Sequence, residues 1–95
     1  VKEMVEEVIW TEQATFDFRQ ILEYLYSEWS YNTEEAYYNR VFEVIELIKE
    51  FPDMGEIIPH RPDPRKIHVT KFNYLTYALV GNNLFILSFI DTRMR

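Results

Sequence analysis

The chain has 95 residues, 47% of them apolar, 27% charged and 17% aromatic, with two Gly, four Pro and no Cys. That is one ordinary domain (residues 1–95), and it excludes global disorder, collagen-like repeats, a disulfide scaffold and thiolate metal sites. A formal net charge of −6 argues against a general binder of free nucleic acid. No apolar run approaches the roughly 18 residues that cross a bilayer, and no basic-then-apolar signal segment opens the chain.

The charge is segregated. Residues 1–50 carry four basic and twelve acidic residues, a net of −8, whereas residues 51–95 carry six basic and four acidic ones, a net of +2. Solvated helix faces account for most of the acidic half.

Val5 to Trp10 reads as a short strand rich in β-branched and aromatic residues. Thr11 has the character of an N-cap, with Glu12 in the positive first turn behind it. Ala14, Phe18, Ile21, Leu22, Leu25 and Trp29 then recur at the three- and four-residue steps of one helix face. Turn-prone Ser30 to Thr33 interrupts that helix, and Asn32 with Glu35 has the form of a capping box opening a second one. Tyr37, Val41, Val44 and Ile48 form the second helix's apolar row, and Phe51-Pro52-Asp53-Met54-Gly55 stops it. So short a joint predicts an antiparallel hairpin.

Residues 56–65, with Pro59, Pro62 and Pro64, show no regular period and read as a stiff connection. Ile67–Lys71, Tyr74–Val80 and Leu84–Ile90 follow as three strands of a meander, the last apolar enough to be central or covered on both faces. The expected fold is α+β, in the order β-α-α-β-β-β, with a helical hairpin on a small, largely antiparallel sheet.

Candidate chemistry is sparse. His60 and His68 are the only histidines, too few for a closed metal site, and no serine sits in a strand-Gly-Ser-Gly turn. Two isolated glycines cannot build a phosphate loop. What remains is a basic and polar cluster: Arg65, Lys66, His68, Lys71, Tyr74 and Arg93. Period two sends Lys66, His68 and Thr70 to one face, and Arg65, Ile67, Val69 and Lys71 to the face that holds the core. Arg65 and Arg93, at strand ends, are placed to reach carboxylates or phosphates, or to close local pairs such as Asp63–Arg65 and Asp91–Arg93.

The ordered series Ile9-Trp10-Thr11 with Ala14, Asp17 to Ile21 to Tyr24, Ala36, Ile45-x-x-Ile48-x-x-Phe51-Pro52-x-x-Gly55, Arg65, Tyr74-x-x-Tyr77-x-Leu79, Ile86-Leu87 and Asp91-x-Arg93-Met94 resembles the RelE/ParE-type toxins of bacterial type II toxin–antitoxin modules, a plasmid-stabilisation family. The resemblance runs from about Val8 to Arg93 and implies the same β-α-α-β-β-β fold, a cytoplasmic protein, no cofactor and no metal. ParE-like members poison DNA gyrase; RelE-like members are metal-independent endonucleases that cut messenger RNA on the ribosome. The ending Asp91-Thr92-Arg93-Met94 and the net charge of −6 resemble the ParE side, because strongly basic chains suit a ribosome made largely of RNA. The reading is therefore a ParE-like gyrase poison, with a ribosome-dependent mRNA interferase as the alternative and a non-toxic, antitoxin-binding relative third. Under the ribonuclease alternative, Arg65 and Arg93 are the catalytic candidates, with Lys66, His68 and Lys71 binding substrate.

The resemblance also implies a cognate antitoxin whose tail folds as it wraps the toxin. Tyr26, Tyr31 and Tyr38 are its candidate anchors. With the helical half at −8, the segment crossing the helices is expected to carry Lys or Arg.

Overall fold

The computed structural model describes residues 5–94, with Pro62 described in its backbone only. Strand β1 (Glu7–Trp10) leads into helix α1 (Glu12–Glu28) and helix α2 (Tyr31–Glu50). Strands β2 (Glu56–Ile58), β3 (Arg61–Thr70), β4 (Asn73–Val80) and β5 (Asn83–Asp91) complete a five-stranded sheet of order β1-β5-β4-β3-β2. Only the β1–β5 pair is parallel. β5 lies between β1 and β4, as its apolar sequence requires.

Residues 56–65 are not an irregular connection: they form β2 and the start of β3, so the order is β-α-α-β-β-β-β. Their prolines concealed the strands. β4 pairs with β3 only from Arg65 onward, so Pro62 and Pro64 occupy a stretch with a single neighbour, where a missing N–H costs little. His60, at φ 65°, turns the chain between β2 and β3. The second helix also begins earlier than the Asn32–Glu35 pattern suggests. Ser30 is extended, and its hydroxyl accepts the Thr33 N–H at 3.1 Å, so α2 starts at Tyr31.

The core lies between the hairpin and one face of the sheet. Ala14, Ile21 and Leu25 of α1, and Tyr37, Val41, Val44 and Ile48 of α2, bury against Val69, Leu75, Tyr77, Leu84, Ile86 and Phe89. A bulge in β5 interrupts the alternation, since Thr76 pairs with Ser88 while Tyr77 pairs with Ile86, leaving Leu87 extra. Beyond Trp10 and Ile86, β1 no longer covers β5, and α1 takes over. The Thr11 N–H donates to the Ile86 carbonyl at 3.1 Å and the Thr11 hydroxyl to the Leu87 carbonyl at 3.0 Å. The same Thr11 oxygen accepts the Ala14 N–H at 3.0 Å, capping α1 as expected. One turn on, the Asp17 carboxylate accepts the Phe89 N–H at 3.1 Å. The first turns of α1 thus stand in for a missing strand.

Where α2 ends, Tyr77 of β4 and Arg65 of β3 lock the turn that follows it. The Tyr77 hydroxyl donates to the Pro52 carbonyl at 2.7 Å and accepts the Gly55 N–H at 3.0 Å. Arg65 Nη1 donates to the Gly55 and Asp53 carbonyls at 2.9 and 3.1 Å. A Cβ at Gly55 would lie 2.7 Å from the Tyr77 oxygen, so only glycine fits.

Candidate functional site

The residues singled out in the sequence part into four places. Lys66 and His68 share the open face of the sheet with Tyr74: Lys66 Nζ sits 5.1 Å from the Tyr74 ring centre, and the His68 ring 5.6 Å from it. Arg61, Lys66, Tyr74, Thr76 and Ser88 line a shallow cavity of about 430 Å³ on that face. Thr70 does not join them. A bulge between His68 and Thr70 breaks the period and pairs Thr70 with Asn73, whose side chain is buried on the helix side. Lys71 is in the β3–β4 turn, with its Nζ 5.1 Å from the Phe72 ring centre.

Arg65 and Arg93 lie at opposite ends of α2. Arg65 holds the turn just past Glu50, and its carboxylate neighbour is Asp53, at 3.8 Å, rather than Asp63. Arg93 lies beside the first turns of α2, and its pair with Asp91 is formed as expected. Arg93 Nη2 reaches Asp91 Oδ2 at 2.8 Å, Nε reaches Oδ1 at 3.1 Å, and the Arg93 N–H adds a third bond at 2.8 Å. Asn73 Nδ2 donates to the same carboxylate at 3.2 Å, and Asn73 Oδ1 accepts the Thr70 N–H. Burial alone would push the Asp91 carboxyl up. The Arg93 and Asn73 bonds outweigh it and hold the group below its ordinary value.

This clasp sets Arg93 in the wall of a groove of about 550 Å³ between the end of α1, the start of α2 and the β3–β4 turn. Leu25, Trp29, Tyr37, Arg40, Phe72 and Arg93 are among its lining residues. The Arg93 guanidinium carbon lies 4.3 Å from the Phe72 ring centre and 5.5 Å from that of Trp29. Arg40 is also held, its Nε donating to the Val69 carbonyl at 3.3 Å and its Nη1 to Glu43. The Tyr37 hydroxyl is buried without a hydrogen-bond partner among the described residues. Burial first, then the charges of Asp91 and Asp17, raise its pKa, so it is a permanent donor.

The fourth place is the outer face of the hairpin. Tyr26 and Tyr31 are 60% and 58% exposed. Tyr31 donates to Glu35 at 3.3 Å, and the Glu35 charge raises its pKa. Tyr38 packs on Phe42 and Phe18, with ring centres 5.0 and 5.8 Å away. Tyr31 and Tyr38 border a second cavity of about 400 Å³ with Leu22, Glu34, Glu35 and Asn39. Among the described residues no three His, Asp or Glu gather as metal ligands, and no helix is long and apolar enough to cross a membrane.

Residues 8–95 match the family model described as the ParE toxin of the type II toxin–antitoxin system parDE. The chain belongs to the ParE toxin family. The ParE fold is equally clear in solved structures. The chromosomal ParDE toxin–antitoxin system from P. aeruginosa contains a chain that superposes with a TM-score of 0.75 at 15% identity, over 92% of this chain and 96% of that one. A YoeB/ParE toxin from Agrobacterium tumefaciens follows at TM-score 0.69 and 14% identity, covering 90% of this chain and 96% of its own. A YoeB dimer from Staphylococcus aureus gives 0.64 and 12%, covering 92% and 94%. No curated protein sequence matches the chain.

In this ParE-family toxin the groove around Arg93 is what sequence reasoning did not find. Its lining comes from the helix α1 end, α2, β3, the β3–β4 turn and the segment after β5, so no local spacing marks it. Arg93 itself is the one residue that both the sequence and the structure pick out there.

Proposed function

We propose that this ParE-family toxin arrests growth by poisoning DNA gyrase through protein–protein contact and is neutralised by a cognate antitoxin. The observation that carries the reading is the fate of the two arginines. Arg65 and Arg93, the candidates for phosphate chemistry, are engaged within the fold at opposite ends of α2, away from the Lys66–His68 pair. A ribonuclease site needs its cations to converge on one phosphate. A protein poison needs exposed anchors instead, and Phe16, Tyr26, Trp29 and Tyr31 are each more than half exposed on the hairpin.

One observation favours the endonuclease reading: Arg61, Lys66 and Tyr74 border one open cavity on the sheet, with His68 beside Tyr74. Pulse-labelling of new DNA and new protein within minutes of induction, in a close relative of the source, separates the two. DNA synthesis is expected to fail first, and a Lys66→Ala/His68→Ala variant is expected to stay toxic. Translation failing first, with toxicity lost in that variant, would overturn the gyrase reading.

A further inference from the structure

The groove between the hairpin and the β3–β4 turn is built for a partner, and its chemistry is specific. Its walls are Leu25, Trp29 and Phe72, its volume is about 550 Å³, and its two full charges, Arg40 and Arg93, are both positive. No carboxylate other than the buried Asp91 approaches Arg93 within bonding distance among the described residues. Each arginine has a carboxylate partner, Glu43 for Arg40 and Asp91 for Arg93, but neither carboxylate lines the groove, which therefore presents only the cations.

Arg93 is prepared for a ligand rather than merely exposed. Its Nε and Nη2 are fixed by Asp91 and its guanidinium carbon lies 4.3 Å from the Phe72 ring centre, while Nη1 has no hydrogen-bond partner among the described residues. A guanidinium already immobilised loses little further entropy when it binds. The rings of Tyr24, Trp29 and Phe72 lie within 5.8 Å of the guanidinium carbon and the Arg93 side chain is 20% exposed, so water is partly displaced from around it, which strengthens any bond that Nη1 makes.

We propose that this groove seats an apolar side chain of the antitoxin together with a neighbouring carboxylate, and that the carboxylate bonds Arg93 Nη1. The inference rests on the antitoxin reading above and adds the chemistry of one anchor. It also divides the partner's charge. The segment over the outer hairpin face meets Glu34 and Glu35, but at this groove it presents an acid beside an apolar residue.

Isothermal titration of the full-length toxin with its full-length cognate antitoxin tests this. Ala36 lines the groove on an exposed turn of α2, so Ala36→Trp fills the groove without touching the Asp91–Arg93 pair. It should weaken binding by roughly 30-fold or more, and Trp29→Ala by roughly 10-fold, as for anchors in a desolvated pocket. Phe16→Ala, on another face, should change affinity less than about 2-fold, and circular dichroism should show all three variants folded. Asp→Asn and Glu→Gln variants of the antitoxin should include one that weakens binding to the native toxin but not to Arg93→Lys.

Native affinity in both Ala36→Trp and Trp29→Ala would overturn the groove while leaving the antitoxin reading intact. Carboxamide effects that are the same against native toxin and Arg93→Lys would overturn the carboxylate. An antitoxin that does not bind the native toxin would overturn both readings. A toxin dimer, seen by sedimentation of the free protein, that Ala36→Trp abolishes would overturn the groove proposal alone, because a second copy would then hold the groove.

Discussion

Tyr77 and Gly55 form a contact with no slack, and the consequence is measurable. Tyr77 is 1% exposed, and its hydroxyl serves two backbone groups of the turn after α2. Tyr77→Phe orphans the Gly55 N–H and the Pro52 carbonyl, at a cost of about 1–3 kcal/mol. Gly55→Ala drives a Cβ against the Tyr77 ring and oxygen and should cost a similar ~1–3 kcal/mol. The two changes share one contact, so urea denaturation should find the double variant less destabilised than the sum of the singles. Asp91 offers a second residue-level test, with a definite sign. Its folded pKa is depressed, so its contribution is complete above the unfolded value of about 4 and is lost as pH falls through the folded one. Arg93→Gln removes the charged partner and leaves burial opposed only by the Asn73 side chain and the backbone N–H of residue 93, which moves the Asp91 pKa upward from its native position. The variant should lose roughly 3 kcal/mol at neutral pH. The difference from the native protein should shrink as acid protonates Asp91. Urea midpoints from pH 7 to pH 4 should therefore converge for the two proteins; parallel curves would mean that Arg93 is not what holds Asp91 ionised.

At the scale of elements, α1 substitutes for a strand along the uncovered edge of β5, and two side chains make the substitution. Thr11 caps the helix while serving the Ile86 and Leu87 carbonyls, and Asp17 takes the Phe89 N–H. Thr11→Val should cost about 1–2 kcal/mol through the lost cap and the orphaned bulge carbonyl. Asp17→Ala should cost a comparable ~1–3 kcal/mol, with hydrogen exchange at the Phe89 amide accelerated more than at Leu75 in the neighbouring strand. The elements themselves were largely legible, because apolar rows at helical spacing and β-branched runs report burial directly. Thr11 was legible as a cap for the same local reason. Ser30 was not, because Asn32 with Glu35 offers a competing capping pattern two residues further on. β2 and the start of β3 were hidden because proline argues against a strand unless its missing N–H faces an unpaired side, and pairing is a tertiary fact. The candidate site divides in the same way. Period two put Lys66 and His68 together, but a bulge moved Thr70 away. The destinations of Arg65 and Arg93 depended on a turn and a groove built by distant segments.

Over the whole molecule, the charge segregation seen in the sequence acquires a geometry. The acidic outer face of the hairpin carries Glu34, Glu35 and the exposed tyrosines, whereas the groove beside the same helix is walled by arginines. The two surfaces should act on different steps of antitoxin capture. Exposed charges act at long range and are screened by salt, so they govern encounter; a desolvated anchor acts only after contact and governs escape. A Glu34→Gln/Glu35→Gln toxin should therefore bind its antitoxin with an association rate lowered about 3- to 10-fold at low salt, with dissociation nearly unchanged. Ala36→Trp should do the reverse, raising dissociation and sparing association. Stopped-flow mixing at 50 and 500 mM salt separates these effects. If salt slows association with the native toxin but hardly affects the double glutamine variant, a basic antitoxin segment is steered by the hairpin. If neutralising Glu34 and Glu35 instead speeds association, the approaching segment is acidic and the expected Lys or Arg is absent from it. The carboxylate bound at Arg93 would then be one of several, rather than a single acid in a basic tail.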